Sequence, residues 1–338
     1  MKNEVLILAI ESSCDETSCA VSINDKILAN VTATQAIHAS YGGVVPELAS
    51  RAHQIHILPV VHEALKQAGI NKNAIHAVAF TQGPGLLGSL LVGGSFAKSF
   101  AQALQLPLLA VNHMQAHVLA HFIRHSNNQQ MPQFPFLCLT VSGGHTQIVL
   151  VKDYLQMEVI GQTLDDAAGE AFDKAAKFLG LPYPGGTLVD KYASEGIAKY
   201  NFALPQVADL NFSFSGLKTG FLNFINKKLQ AQPDFIELER NHICASIQQA
   251  IITMLMQKLS QATLQYNINQ IAIAGGVSAN KGLRKTLQDH TQKGWHVYIP
   301  PFEYCTDNAA MIAIAGYYQY LQHKFVGYDA VSMPRFAF

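Results

Sequence analysis

The chain has 338 residues, of which 49% are hydrophobic and only 14% charged, against a usual quarter charged, so it can bury a large core, is not disordered, and is long enough for two domains. Lys plus Arg and Asp plus Glu number 23 each, which excludes a global electrostatic pull toward nucleic acid or membrane and leaves any polyanion to a local patch or a partner. No stretch approaches the roughly eighteen apolar residues of a membrane span, and the five cysteines show no Cys-x-x-Cys spacing, which argues against a disulfide framework or structural zinc and predicts a cytoplasmic protein.

In chain order, Val5 to Ile10 is an apolar run too short for a signal-peptide core and reads as a strand. It runs into Glu11-Ser12-Ser13-Cys14-Asp15-Glu16-Thr17 and then the alternating Cys19 to Ile23, which predicts strand, tight turn, strand. A helix is expected around Glu47 to Leu65, and Thr81 to Ser89, rich in glycine, leads into a small-residue helix through Ala97. Phe136 to Val141, Ser142-Gly143-Gly144-His145-Thr146 and Gln147 to Val151 repeat the first design, a hairpin whose turn can offer backbone N–H groups to an anion. Asp165, Asp166, Glu170 and Asp173 crowd one segment, and at helical spacing such like charges cost stability unless a ligand or cation offsets them. His242 to Leu264 reads as an amphipathic helix with Met254 and Met256 in its core face. Ile271 to Ala274 is a third strand, followed by Gly275-Gly276 and the helical pattern Leu283 to Leu287, which predicts glycines at a helix N-terminus.

His113 and His117 stand four residues apart, a spacing that on a helix aims both imidazoles at one point. His121 follows one turn later, and the small or apolar Val118, Leu119 and Ala120 between them suit burial. Neutral imidazoles buried together need partners, and a metal ion satisfies both. A zinc protease would place glutamate directly after the first histidine as general base. Met114 and Gln115 occupy that region, so protease chemistry lacks its base.

Two similar hairpins some 130 residues apart, with a glycine-marked strand and helix about 130 further on, fit a duplicated domain closing on a nucleotide. This is the α/β arrangement of the actin, sugar-kinase and heat-shock chaperone superfamily, with two lobes on duplicated mixed sheets. The expected division is residues 1–134 plus a C-terminal helix at about 315–338 for one lobe and 135–314 for the other.

Eight ordered motifs together resemble the TsaD family, the tRNA threonylcarbamoyladenosine transferases once labelled glycoproteases. They are Glu11-Ser-Ser-Cys-Asp-Glu-Thr, Gly42-Gly-Val-Val-Pro-Glu-Leu-Ala-Ser-Arg-Ala-His, Asn112-His-Met-Gln-Ala-His, Val141-Ser-Gly-Gly-His-Thr, Leu164-Asp-Asp-Ala-Ala-Gly-Glu-Ala-Phe-Asp-Lys, Phe212-Ser-Phe-Ser-Gly-Leu-Lys-Thr, Gly275-Gly-Val-Ser-Ala-Asn and Cys305-Thr-Asp-Asn-Ala-Ala-Met. The resemblance runs from about Leu6 to Ala315. It departs at the polar linker His125-Ser-Asn-Asn-Gln-Gln130, near Gln230, and after Tyr317.

That resemblance implies transfer of threonylcarbamoyl from threonylcarbamoyl-AMP to the exocyclic amine of the adenosine 3′ of the anticodon, in tRNAs reading codons that begin with A. It implies one transition-metal ion per chain, iron with zinc as the alternative, on His113, His117 and Asp307, and it places Glu11 with Asp307 among the catalytic residues. Adenylate-binding positions fall on Thr140, Val141, Ser142, Gly143, Gly144, Asp173, Gly186, Asp190 and Asn280. The implied partners are tRNA, the TsaB paralogue and the TsaE ATPase. The competing classes are a non-catalytic scaffold and an ATPase of the same superfamily.

Overall fold

A computed structural model of the chain describes residues 4–126 and 129–338. Asn127 and Asn128 of the polar linker therefore lie outside the described residues. The chain forms two compact units, one of Met1–Pro132, Asp153–Met157 and Pro300–Phe338, the other of Gln133–Lys152 and Glu158–Ile299.

The first unit opens with β1 (Leu6–Glu11), β2 (Thr17–Ile23) and β3 (Lys26–Ala33), then α1 (Pro46–Ala68), β4 (Ala77–Gly83), α2 (Leu87–Leu104), β5 (Leu108–Asn112) and α3 (His113–Leu119). Its sheet order is β3-β2-β1-β4-β5. β1 runs antiparallel to β2 and parallel to β4, which runs parallel to β5. Five of the six residues of β1 are buried, because both faces of the sheet are covered; Ile7 to Ile10 are apolar accordingly, and the strand ends in the buried Glu11. One face packs Leu8, Ile10, Val21, Val78 and Phe80 against Ile57, Val60 and Val61 of α1 and Ala97 and Ala101 of α2.

The second unit carries β6 (Phe136–Val141), β7 (Thr146–Asp153), β8 (Gln156–Gln162), α4 (Ala168–Phe178), α5 (Gly185–Ala193), α6 (Ser215–Ala231), α7 (Phe235–Tyr266), β9 (Gln270–Ala274), α8 (Lys281–Asp289) and β10 (His296–Tyr298). Its sheet order, β10-β9-β6-β7-β8, is that of the first unit read from the other edge. β6 is antiparallel to β7 and parallel to β9, repeating β1 with β2 and β4. The duplication expected from the two hairpins is thus present strand for strand.

The chain returns to the first unit at Pro300 and ends in α9 (Ala309–Leu321) and a tail. α9 packs on β1, β2, β4 and β5. Gly316 permits this, since a Cβ there would lie 2.7 Å from that of Ala79. The C-terminal helix expected at about 315–338 is instead centred earlier, and the residues after Leu321 form no helix. Their backbone is used otherwise. His323 takes a positive φ of 54°, Val326 bridges to Leu108, Met333 N–H donates to Gln82 O, and Asn112 Nδ2 donates to Ala337 O.

The helix expected directly from Gly275-Gly276 is also different. Gly275 has φ +87° and passes so close to β6 that a Cβ would lie 2.6 Å from Val141 O. A short 3-10 turn, Gly276–Ala279, follows, and α8 is capped by Asn280, whose Oδ1 accepts the Leu283 N–H.

Candidate metal centre and adenylate loops

Asn112 ends β5 and caps α3, its Oδ1 accepting N–H groups of Met114 and Gln115 at 2.9 and 3.2 Å. The cap fixes His113 at the first helical position and His117 one turn on, both buried, with ring centroids 4.7 Å apart. Asp307 arrives from the loop before α9. Asn308 caps that helix, while Ala309 N–H donates to Ser18 Oγ and Ala310 N–H to Asn30 Oδ1, so the loop is tied to β2 and β3. Asp307 Oδ1 then lies 3.1 Å from His117 Nε2 and 3.4 Å from His113 Nε2.

One ligand atom from each of these residues lies within 4.8 Å of the others. Tetrahedral ligands on bonds of about 2.1 Å stand roughly 3.4 Å apart, so the set fits a metal ion. Burial favours a neutral Asp307, but the histidines outweigh it and hold the carboxyl far below the usual range. Burial likewise disfavours charge on His113, yet Asp307 and Glu11 raise it well above its ordinary value. The pocket therefore favours an ionised Asp307 beside positive charge. His121 is buried but stands outside the ligand group. Nearby, burial and then Asp307 and Asp15 push Glu16 up to about 9.

In the second unit Ser142 N–H donates to His145 O, and His145 N–H returns to Ser142 Oγ. These bonds shape the turn and leave Gly143 and Gly144 exposed, with nothing within 4 Å of a Cβ built on either. Thr140 and Val141 are fully buried strand residues. Gly169, which sequence reasoning passed over, opens α4 against this turn. Its N–H donates to Ser142 O, and a Cβ would lie 2.5 Å from that oxygen.

Asp173 Oδ1 accepts the N–H groups of Gly185 and Gly186, both at 2.9 Å, and burial raises its pKa despite them. The Asp190 carboxylate accepts from Lys281 N–H at the start of α8, next to Asn280, whose Nδ2 donates to Gln248 Oε1. The acidic run is offset by side chains of this chain: Asp166 pairs with Lys174 and Lys218, and Glu170 with Lys174.

Two mixed five-stranded sheets with a duplicated order define an α/β protein with the actin-like, sugar-kinase fold, here with two buried histidines beside a partly exposed aspartate. The chain belongs to the TsaD family, tRNA N6-adenosine threonylcarbamoyltransferase, whose profile matches residues 26–314. It is 58% identical to the tRNA N6-adenosine threonylcarbamoyltransferase of Christiangramia forsetii and 59% identical to that of Porphyromonas gingivalis, in each case over 99% of both chains. It is therefore a transferase of tRNA modification. Among solved structures, HypF of T. kodakarensis shares the fold at a TM-score of 0.64 and 13% identity, covering 98% of this chain and 49% of that one. Component A of the Acidaminococcus fermentans (R)-2-hydroxyglutaryl-CoA dehydratase shares it at 0.53 and 14%, covering 93% and 98%. No helix among the described residues is long and apolar enough to cross a membrane.

Proposed function

We propose that the chain moves the threonylcarbamoyl group of threonylcarbamoyl-AMP onto the exocyclic amine of the adenosine 3′ of the anticodon, in tRNAs reading codons that begin with A. The convergence of His113, His117 and Asp307, brought from segments far apart in sequence, is the observation that carries this reading. Those three residues would hold the metal. A transition-metal ion held there, iron or zinc, would supply Lewis acidity.

The rest of the chemistry falls to residues of the second unit. Gly143 and Gly144 present exposed backbone to the α-phosphate, since the Ser142 N–H is already given to His145. Asp173 keeps Oδ2 for a ribose hydroxyl while Oδ1 holds the glycine pair. Asp190 and Asn280 fix the start of α8 and the adjoining wall of an adenosine site. The amine nitrogen bonds to the carbamoyl carbon, the carbon–oxygen bond to phosphate breaks, AMP leaves, and the amine gives up one proton. No covalent enzyme intermediate is needed.

The zero formal charge leaves a tRNA to be held with help. A TsaB paralogue fits the exposed apolar residues of adjacent helices, Ile55 and Leu58 on α1 and Leu87 and Leu91 on α2. TsaE joins as the ATPase, and the tRNA substrate and five cysteines without Cys-x-x-Cys spacing suit the cytoplasm. The test is a transfer assay with threonylcarbamoyl-AMP and tRNA, with and without both partners, read by mass spectrometry of the nucleosides beside an ATP-only arm. Modified adenosine in the first arm supports the reading. ATP turnover with no transfer, partners present, overturns it.

A further inference from the structure

Glu11 closes β1 with no exposed surface, a position a carboxylate holds only when its oxygens are engaged. Oε1 accepts the Ser13 N–H; Oε2 accepts the Thr81 hydroxyl and lies 3.1 Å from His113 Nδ1. Ser13 Oγ is 3.2 Å from the same nitrogen. The other ring nitrogen, Nε2, is the one beside Asp307. An imidazole nitrogen carrying hydrogen cannot ligate a metal, so which nitrogen is protonated decides whether His113 works as a ligand. An ionised carboxylate only accepts, and at Nδ1 it fixes the hydrogen there and frees the Nε2 lone pair. His117 differs, since its buried Nδ1 has no hydrogen-bond partner among the described residues.

We propose that Glu11 is a positioning residue acting through His113, holding the Nδ1–H tautomer and ring orientation so that Nε2 is presented to a transition-metal ion beside His117 and Asp307. This deepens the metal reading and rests on it. Glu11, expected among the catalytic residues, thus acts one bond away from the reacting groups, with no exposed surface to offer a substrate.

The full chain, stripped with a chelator, is titrated with Co2+ and Zn2+ against a chromophoric competitor, alongside Glu11→Ala, Glu11→Gln, Thr81→Val and His117→Ala. Glu11→Ala is expected to weaken binding by about 10- to 100-fold and to change the Co2+ ligand-field spectrum. Glu11→Gln keeps an oxygen acceptor and recovers part of the loss. Thr81→Val disturbs the same carboxylate without touching His113 and loses less than Glu11→Ala. In the zinc-loaded wild type, 15N ring shifts of His113 should show Nδ1 protonated and Nε2 metal-bound, and this decides the matter even if Glu11→Ala does not fold. Wild-type affinity and spectrum in Glu11→Ala, or His113 bound through Nδ1, overturns the proposal; if His117→Ala still loses the ion, the metal reading survives. A folded wild type that takes up neither metal overturns both.

Discussion

Asp307 Oδ1 and His117 Nε2 lie 3.1 Å apart across 190 residues of chain. A carboxylate held anionic by two histidines is half of an ion pair waiting for a second cation, so the three residues should bind metal as one unit. The double variant His113→Ala/His117→Ala is expected to retain no metal by elemental analysis, and Asp307→Ala to lose most of it. Full occupancy in both variants would refute the assignment.

Gly143 and Gly169 sit on two sides of one turn and should fail differently. Gly143→Val has room for its side chain, so the protein should fold normally while the new bulk stands where an adenylate phosphate would rest. AMP affinity should fall at least tenfold with metal content unchanged. Gly169→Ala forces a Cβ into Ser142 O and should cost about 1 to 3 kcal/mol in unfolding free energy. Chemical denaturation and AMP titration separate the two, and normal AMP binding by Gly143→Val would remove the phosphate role from this turn.

The apolar strip on α1 and α2 should be separable from chemistry. Ile55→Asp with Leu58→Asp, at residues 69% and 65% exposed, should leave folding and metal content intact and abolish a complex with the TsaB paralogue in size-exclusion chromatography. A complex of unchanged affinity would place the partner elsewhere.

Acid stability should depend on Asp166. Burial acts to raise its pKa, but Lys218 and Lys174 prevail and hold it below the ordinary carboxylate value. A carboxyl group depressed in the folded state stabilises the protein above its unfolded pKa, and this is lost as pH falls through the folded value, a window below about pH 4. Asp166→Asn should lower stability at pH 7, by no more than about 1 kcal/mol per lysine pair because the lysines are partly exposed. Its melting temperature should also fall less than that of the wild type from pH 5 to pH 3. Equal slopes in both proteins would show that the pairs contribute nothing.

Local pattern revealed the hairpins, the duplicated design and the helical histidine pair, since each is written in residues adjacent in sequence. Asp307 could be matched to the metal only through resemblance to a family, because nothing local distinguishes it from other aspartates. Gly169 and Gly275 were opaque for the same reason: their need for glycine comes from Ser142 and Val141 on distant segments. The acidic run around Asp166 looked like an invitation to a ligand until Lys218, 52 residues away, was seen to answer it. The tail after Leu321 carries no periodicity because its partners are largely groups elsewhere in the chain, those of Gln82, Leu108 and Asn112 among them.

α9 covers the face of the first sheet formed by strands made near the start of the chain, but it is synthesised only after the whole of 133–299. At 5 to 20 residues per second, the ribosome needs roughly ten to thirty seconds to span that insertion. During this interval β1, β2, β4 and β5 have no α9 to cover them, and Asp307 does not yet exist to meet the histidines. The first unit is therefore finished last, and a nascent chain stalled before Pro300 carries an uncovered apolar sheet face of the kind chaperones bind.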